Sequence, residues 1–266
     1  MKNAATGSQC AVGCASVILL CAGLAQADVA IPIPNYSFET ATLPLNGDTR
    51  FAVLAGPLNN LIAGSHLSDT AGTLADWTAS STSLNADVGA LSPDPGGSNW
   101  SSKWWDGNNI AYMQETSPGT TASLSQTISY VLADNTTYTL SALIGRRAFA
   151  PANLNYSIQL WAGSTLLTSA SNLALARDSF GLDSAVYASG SNDPNAGKDL
   201  QIVLSSTDVN GGFIEAFFDD VSLTASTPTP EPSEWSVVVL ILIGLLTWRA
   251  RLRRTSARRS ADGRDR

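Results

Sequence analysis

Two groups of side chains in this sequence could do chemistry. The first is acidic: Glu39 in Asn35-Tyr36-Ser37-Phe38-Glu39, and Asp219 and Asp220 in Phe218-Asp219-Asp220-Val221-Ser222-Leu223. Glu39 is expected on the first strand and the two aspartates on the last. Strict alternation places Asp219 on the inward face with Phe217, Val221 and Leu223, where an unpaired carboxylate is costly. It then needs a cation, backbone donors or a proton. First and last strands often pair in a sandwich, which would bring Glu39 toward Asp219. Two carboxylates with backbone carbonyls suit Ca2+, a hard ion that takes oxygen ligands. The alternative is that Asp219 and Asp220 cap a strand end and accept backbone amides.

The second group is the polar, glycine-flanked stretch Ser98–Asn109, which holds Trp100, Trp104 and Trp105 beside Asp106 and Asn108. Exposed rings there would stack on sugar faces while Asp106 and Asn108 take hydroxyls. The alternative is that the rings close one end of the fold. Tyr112 and Trp161 could extend either arrangement. Signals for catalysis are weak. His66 is the only histidine, and no nucleophile elbow, zinc-helix motif, phosphate loop or dinucleotide fingerprint is present. Two carboxylates could hydrolyse a glycoside, with Asp94, Asp106 and Glu115 the first to test. The residues point more strongly to a binding protein than to an enzyme.

The elements that must position these groups are strands. Period-2 alternation marks Thr137–Gly145, Tyr156–Ala162, Leu200–Leu204 and Phe217–Leu223. The turn Gly163-Ser164 leads from the second of these into Leu166–Ala170 as a hairpin. Shorter strands are expected near Phe51–Leu54, Trp77–Ala79, Ile110–Met113 and Ala122–Ile128. Many short strands separated by Gly, Pro, Asn and Asp predict an all-β sandwich over 28–225.

The ends of the chain read as delivery segments. Lys2, an apolar run from Ala11 to Leu24 and Ala25-Gln26-Ala27 form a secretory signal over 1–27. Cys10, Cys14 and Cys21 all fall inside it, so the exported chain would carry no thiol chemistry. Residues 226–234 form a Pro/Thr-rich linker, 235–248 a short apolar helix bounded by Trp235 and Trp248, and 249–266 a basic tail. Arginines beside an apolar run stay cytoplasmic, which places the sandwich across the membrane. Between Asp28 and Thr229 stand 18 acidic and 6 basic side chains, a net charge of −12, which excludes a nucleic-acid partner.

Two resemblances sharpen this. Asn35-Tyr36-Ser37-Phe38-Glu39, the block Asn135–Leu140 and Phe218–Leu223 resemble the galactose-binding-domain-like jelly roll shared by several carbohydrate-binding modules. That resemblance implies a structural calcium held by Glu39 and Asp219, with Asp220 as the alternative ligand. Pro230-Glu231-Pro232, the apolar run and Arg249, Arg251, Arg253 and Arg254 resemble the PEP-CTERM sorting signal. That implies an exosortase-like processing enzyme as partner, membrane anchoring before processing, and delivery to the envelope or extracellular matrix. Together they imply a non-catalytic exported protein that binds extracellular polysaccharide. A structural or adhesion protein that binds other proteins, and a glycan-cleaving enzyme, are the alternatives.

Overall fold

The computed structural model describes residues 28–227, apart from 42, 44–48, 55–69, 72–73, 84–85, 116, 151–153, 172 and 212–213, together with 238–239 and 241–249. Within the unit Gln26–Pro228 the strands run β1 (Val29–Ile31), β2 (Thr49–Leu54), β3 (Thr70–Ala71), β4 (Thr78–Ser81), β5 (Ala86–Ser92), β6 (Ile110–Glu115) and β7 (Thr121–Val131). They continue as β8 (Thr137–Arg146), β9 (Tyr156–Ala162), β10 (Thr165–Ala170), β11 (Ser179–Ala188), β12 (Asp199–Thr207) and β13 (Ile214–Ser226). One sheet has the order β11-β8-β13-β6-β5-β2-β3, with β1 also paired to β13; the other is β10-β9-β12-β7-β4. The β2–β3 pair is parallel and the remaining pairs are antiparallel.

The all-β expectation holds, and alternation explains most of it. In β9, Tyr156, Ile158 and Leu160 are buried while Ser157, Gln159 and Trp161 are partly exposed. Such strands place Leu124, Ile158, Ile202 and Leu204 of one sheet against Met113, Leu140, Ile144 and Phe218 of the other. Burying each of these side chains contributes roughly 1.5–3 kcal/mol.

The larger sheet departs from that pattern. Antiparallel sheets commonly keep one wet face, yet β5 and β6 are buried at every residue. So is the first half of β13. The outer face of these three strands is therefore covered.

Strand β13 also corrects the face assigned to Asp219. Its pairing with β8 shifts register between Asp219 and Ser222, and Asp220 takes a left-handed φ of 47°. This bulge inserts a residue and flips the alternation. Phe218, Val221 and Leu223 face the core between the sheets, while Phe217 packs in a separate cluster on the outer face. Asp219 belongs with Phe217, not with Val221.

In the other unit, residues 238–239 and 241–249 are helical. No helix among the described residues is long and apolar enough to cross a membrane; residues 235–237 and 240 of the segment expected to do so lie outside the described residues. Arg249 is helical and exposed. Pro230, Glu231, Pro232, Arg251, Arg253, Arg254, His66 and the segment 1–27 lie outside the described residues.

Candidate functional site

The acidic residues do converge, through loops. β13 pairs with β6 up to Phe218 and with β1 from Leu223 onward. The bulge lies at this change of neighbour. Glu39 reaches it from a turn after β1 rather than from a strand. The loop before β6 supplies the donors. The Asn108 and Asn109 amides donate to Glu39 Oε1 at 2.8 and 2.7 Å, and the Asp106 amide donates to Asp219 Oδ2 at 2.9 Å. The Asn109 side chain ties the same turn by donating to the carbonyls of Phe38 and Ala41. Gly107 has φ +53°, and a Cβ there would lie 2.4 Å from the Glu39 carboxyl, so close approach requires glycine.

These amides do not satisfy everything. Asp219 is fully buried, and its Oδ1 accepts no well-formed hydrogen bond among the described residues. Burial pushes its carboxyl up to about 8; the amides of Asp220 and Asp106 oppose this, and the carboxylates of Asp220 and Glu39 add to it. Asp220 is raised as well, by burial first and then by Asp106. Among the described residues no three acidic, histidine or cysteine side chains form a ready-made metal site. The orphaned oxygen and crowded negative charge nevertheless fit a hard cation at Asp219.

The tryptophan loop is latched onto the outer face of the larger sheet. Gly96 donates to the Trp100 carbonyl, Ala148 to the Asn99 carbonyl, and the Ser101 amide to Asp178 Oδ1 at 2.9 Å. Trp100 is fully buried, with its ring 5.2 Å from Phe217, 5.1 Å from Phe180 and 5.7 Å from Trp105. Trp105 is also buried, so neither ring offers a sugar-stacking face; Trp104 is 48% exposed. A small open pocket lined by Pro93, Lys103, Trp105 and Asn108 lies at this end. Asp106 and Asn108 are exposed.

Two rows of outer-face residues cross the covered strands. In one, Gly89, Tyr112, Phe217, Gly145 and Phe180 stand opposite one another on successive strands. Phe180 lies over Gly145, where a Cβ would meet its ring at 2.4 Å. In the next row Asp87, Gln114 and Glu215 are cross-strand partners. All three are 4% exposed or less. Arg147, just past β8, forms an ion pair with Glu215 through Nε. Buried polar groups on what should be the wet face of a sheet make this row a candidate site. The sequence carried one hint of them: a single acidic residue inside the apolar stretches Ala86–Ala90 and Ile214–Phe218.

The acids first suggested for catalysis lie elsewhere. Glu115 faces inward, paired with Ala86 and Ile214, and accepts from Thr120 Oγ1 at 2.9 Å; burial raises its carboxyl. Asp94 sits in the loop after β5.

The model of the HpiC1-like family, described as HpiC1 cyclase, matches residues 29–224. Among curated proteins, none matches the sequence. The Stig cyclase Fisc from Fischerella sp. TAU, solved in complex with (3Z)-3-(1-methyl-2-pyrrolidinylidene)-3H-indole, is 24% identical, with a TM-score of 0.59 over 76% of this chain and 99% of its own. A cyclase from Fischerella sp. TAU in complex with 4-(1H-indol-3-yl)butan-2-one is 25% identical, with a TM-score of 0.60 over 76% of this chain and 100% of its own. These matches overturn the expectation of a non-catalytic polysaccharide-binding protein. The partners implied with it, an exosortase-like enzyme and extracellular polysaccharide, fall with it.

Proposed function

The chain belongs to the HpiC1-like cyclase family, and from that premise we propose that it is an enzyme closing a ring in a small aromatic molecule of indole type. The observation that carries the site is the buried row Asp87–Gln114–Glu215 beside Tyr112 and Phe217, inside the matched span. Cyclisation of an unsaturated side chain needs one proton in and one proton out. Protonation at one end of a double bond leaves a cationic carbon. An electron-rich ring carbon attacks it, consuming the π bond and forming a σ bond, and the ring then loses a proton. A buried carboxyl can give the first proton and a second can take the last. The rings of Tyr112 and Phe217 stabilise the cation between these events, and Gln114 holds polar atoms of the substrate. The indole compound seen in the Fischerella cyclase supports the substrate class.

The test is incubation of the full-length protein with 3-substituted indoles bearing alkenyl side chains, followed by chromatography and mass spectrometry. The expected product is an isomer of equal mass. Failure to convert any member of the panel would sink the reading. The sandwich itself is read as a jelly roll, because the chain repeatedly crosses between sheets, as from β6 to β7 to β8 to β9. Ala25-Gln26-Ala27 and the Pro230-Glu231-Pro232 tail support an exported, envelope-sorted enzyme. An intact mass beginning at Asp28 is the expected result, and retention of residues 1–27 would refute export through this signal.

A second observation, the orphaned Oδ1 of Asp219, favours a structural cation at the bulge. Asp219 and Glu39 would hold it, with Asp220 as the alternative, and Ca2+ would supply positive charge that neutralises the crowded carboxylates. The pH dependence follows from the sign of the shift. A carboxyl raised to about 8 in the fold stabilises it most at acid pH, and that contribution is lost as pH rises through about 8. Ca2+ binds the ionised form and offsets the loss. Melting in chelator is therefore expected to fall toward pH 8, and added Ca2+ to raise it more at pH 8 than at pH 5. Asp219→Asn is expected to remove that difference. A Ca2+ response independent of pH and of Asp219 would rule out this site.

A further inference from the structure

Strand β11 ends the larger sheet, and we infer that a second copy of this chain pairs with it edge to edge. This interface goes beyond the cyclase reading and does not depend on it. The strands at the other sheet ends are blunted: β3 has two residues, β4 has four, and β10 carries a register shift between Leu166 and Thr168. β11 runs ten residues against β8 with no shift, and it contains no Pro or Lys. Among the described residues its far edge has no strand partner. A long, regular edge of that kind is a template for another chain.

Two hydrogen bonds show which groups the edge offers. The Ser189 amide continues the β11–β8 ladder by donating to the Thr136 carbonyl. The Ser184 amide instead donates to Asp183 Oδ1 at 2.9 Å. Backbone groups alternate sides along an antiparallel strand, so Leu182, Ser184 and Val186 turn theirs to the open edge. Their side chains share the outer face, where Leu182 is 63% and Val186 55% exposed.

These residues complement a second copy of themselves. Antiparallel pairing about a two-fold axis at Ser184 sets Leu182 of one copy opposite Val186 of the other, and Ser184 opposite Ser184. Apolar then meets apolar and hydroxyl meets hydroxyl, and the same surface serves both copies. A domain with a net charge of −12 repels its own kind. β11 carries a single charge, Asp183, which would stand opposite Ala185, and its Oδ2 accepts from the Tyr156 hydroxyl of its own chain. In the dimer the Ser184 amide exchanges Asp183 for the facing carbonyl. The contact is small, so the dimer is of the weak, reversible class.

The test is sedimentation velocity of the full-length protein from about 1 μM to 1 mM, with hydrogen exchange read at both limits. A monomer–dimer equilibrium is expected inside this range, with exchange of the Leu182, Ser184 and Val186 amides slowing as concentration rises. A wild type that stays monomeric throughout overturns the inference, as does a dimer in which these three amides exchange unchanged. So does protection of all three at every concentration, which would mean that another segment of the chain covers the edge. Register is tested by charge. Leu182→Lys with Val186→Lys sets like charges opposite one another and should weaken the dimer at least about tenfold. Leu182→Lys with Val186→Glu sets opposite charges there and should return the dissociation constant to within about threefold of wild type. Equal weakening in both double variants overturns this pairing.

Discussion

Asp87→Asn is expected to lower turnover of a 3-substituted indole by about 10²–10⁴-fold, the range a positioned general acid supplies. Asp87 is 4% exposed and stands directly across from Gln114, which stands directly across from Glu215. Asparagine keeps the shape and most of the hydrogen-bonding capacity of the aspartate, so the row should stay packed. It cannot give up a proton at any accessible pH. Activity and stability should therefore separate: kcat collapses, while the melting temperature and near-ultraviolet circular dichroism stay close to wild type. Glu115→Gln is the matched control. Glu115 is equally buried and its carboxyl is raised by that burial, but it faces the core on the opposite side of the sheet, bound to Thr120. Replacing it should leave turnover where it was. Unchanged kcat in Asp87→Asn would move the reaction centre away from this row altogether.

What could be read from the residues followed from which faces are wet. β7, β8, β9 and β12 were legible because one side of each is polar and the other apolar, as in Thr121–Val131 with Leu124 in and Ser125 out, and β10 because the Gly163-Ser164 turn leads into it. β5 was not. Ala86–Ser92 is buried on both faces, so it has no period-2 signal to find. The bulge at Asp220 was equally hidden, since a single inserted residue leaves composition unchanged yet reverses every later side chain. That reversal explains the misplaced face of Asp219, although its meeting with Glu39 was anticipated. The tryptophans looked like a surface because their loop is polar. Only the latch to Asp178 and Ala148 turns Trp100 inward. The reaction was missed for a different reason. Ring closure by proton transfer needs no nucleophile elbow or metal-binding helix, so the absence of such motifs did not bear on it. The row Asp87–Gln114–Glu215 is spread over three strands and becomes one feature only through strand register.

Trp100→Ala should be the most destabilising single substitution in the loop, costing about 3–5 kcal/mol. The ring is fully buried, edge-on to Phe217 at 81° and tilted against Phe180 at 37°, and it touches Trp105 as well. Each such pair contributes about 0.5–1.5 kcal/mol beyond the area it covers. The cavity left behind cannot close easily, because the backbone around it is pinned by the Gly96, Ala148 and Ser101 hydrogen bonds. Trp104→Ala is the comparison: at 48% exposure its ring lies outward, and its removal should cost less than about 0.5 kcal/mol. Urea titration of both variants measures the difference directly. The consequence reaches the site, since Phe217 is two residues from Glu215 and Asn99 anchors Ala148 beside Arg147. Trp100→Ala should therefore also lower turnover at temperatures where the protein remains folded. Equal, small effects for the two tryptophans would mean that the loop is not a structural lid on this face, and the covered row would lose the element that covers its aromatic neighbour.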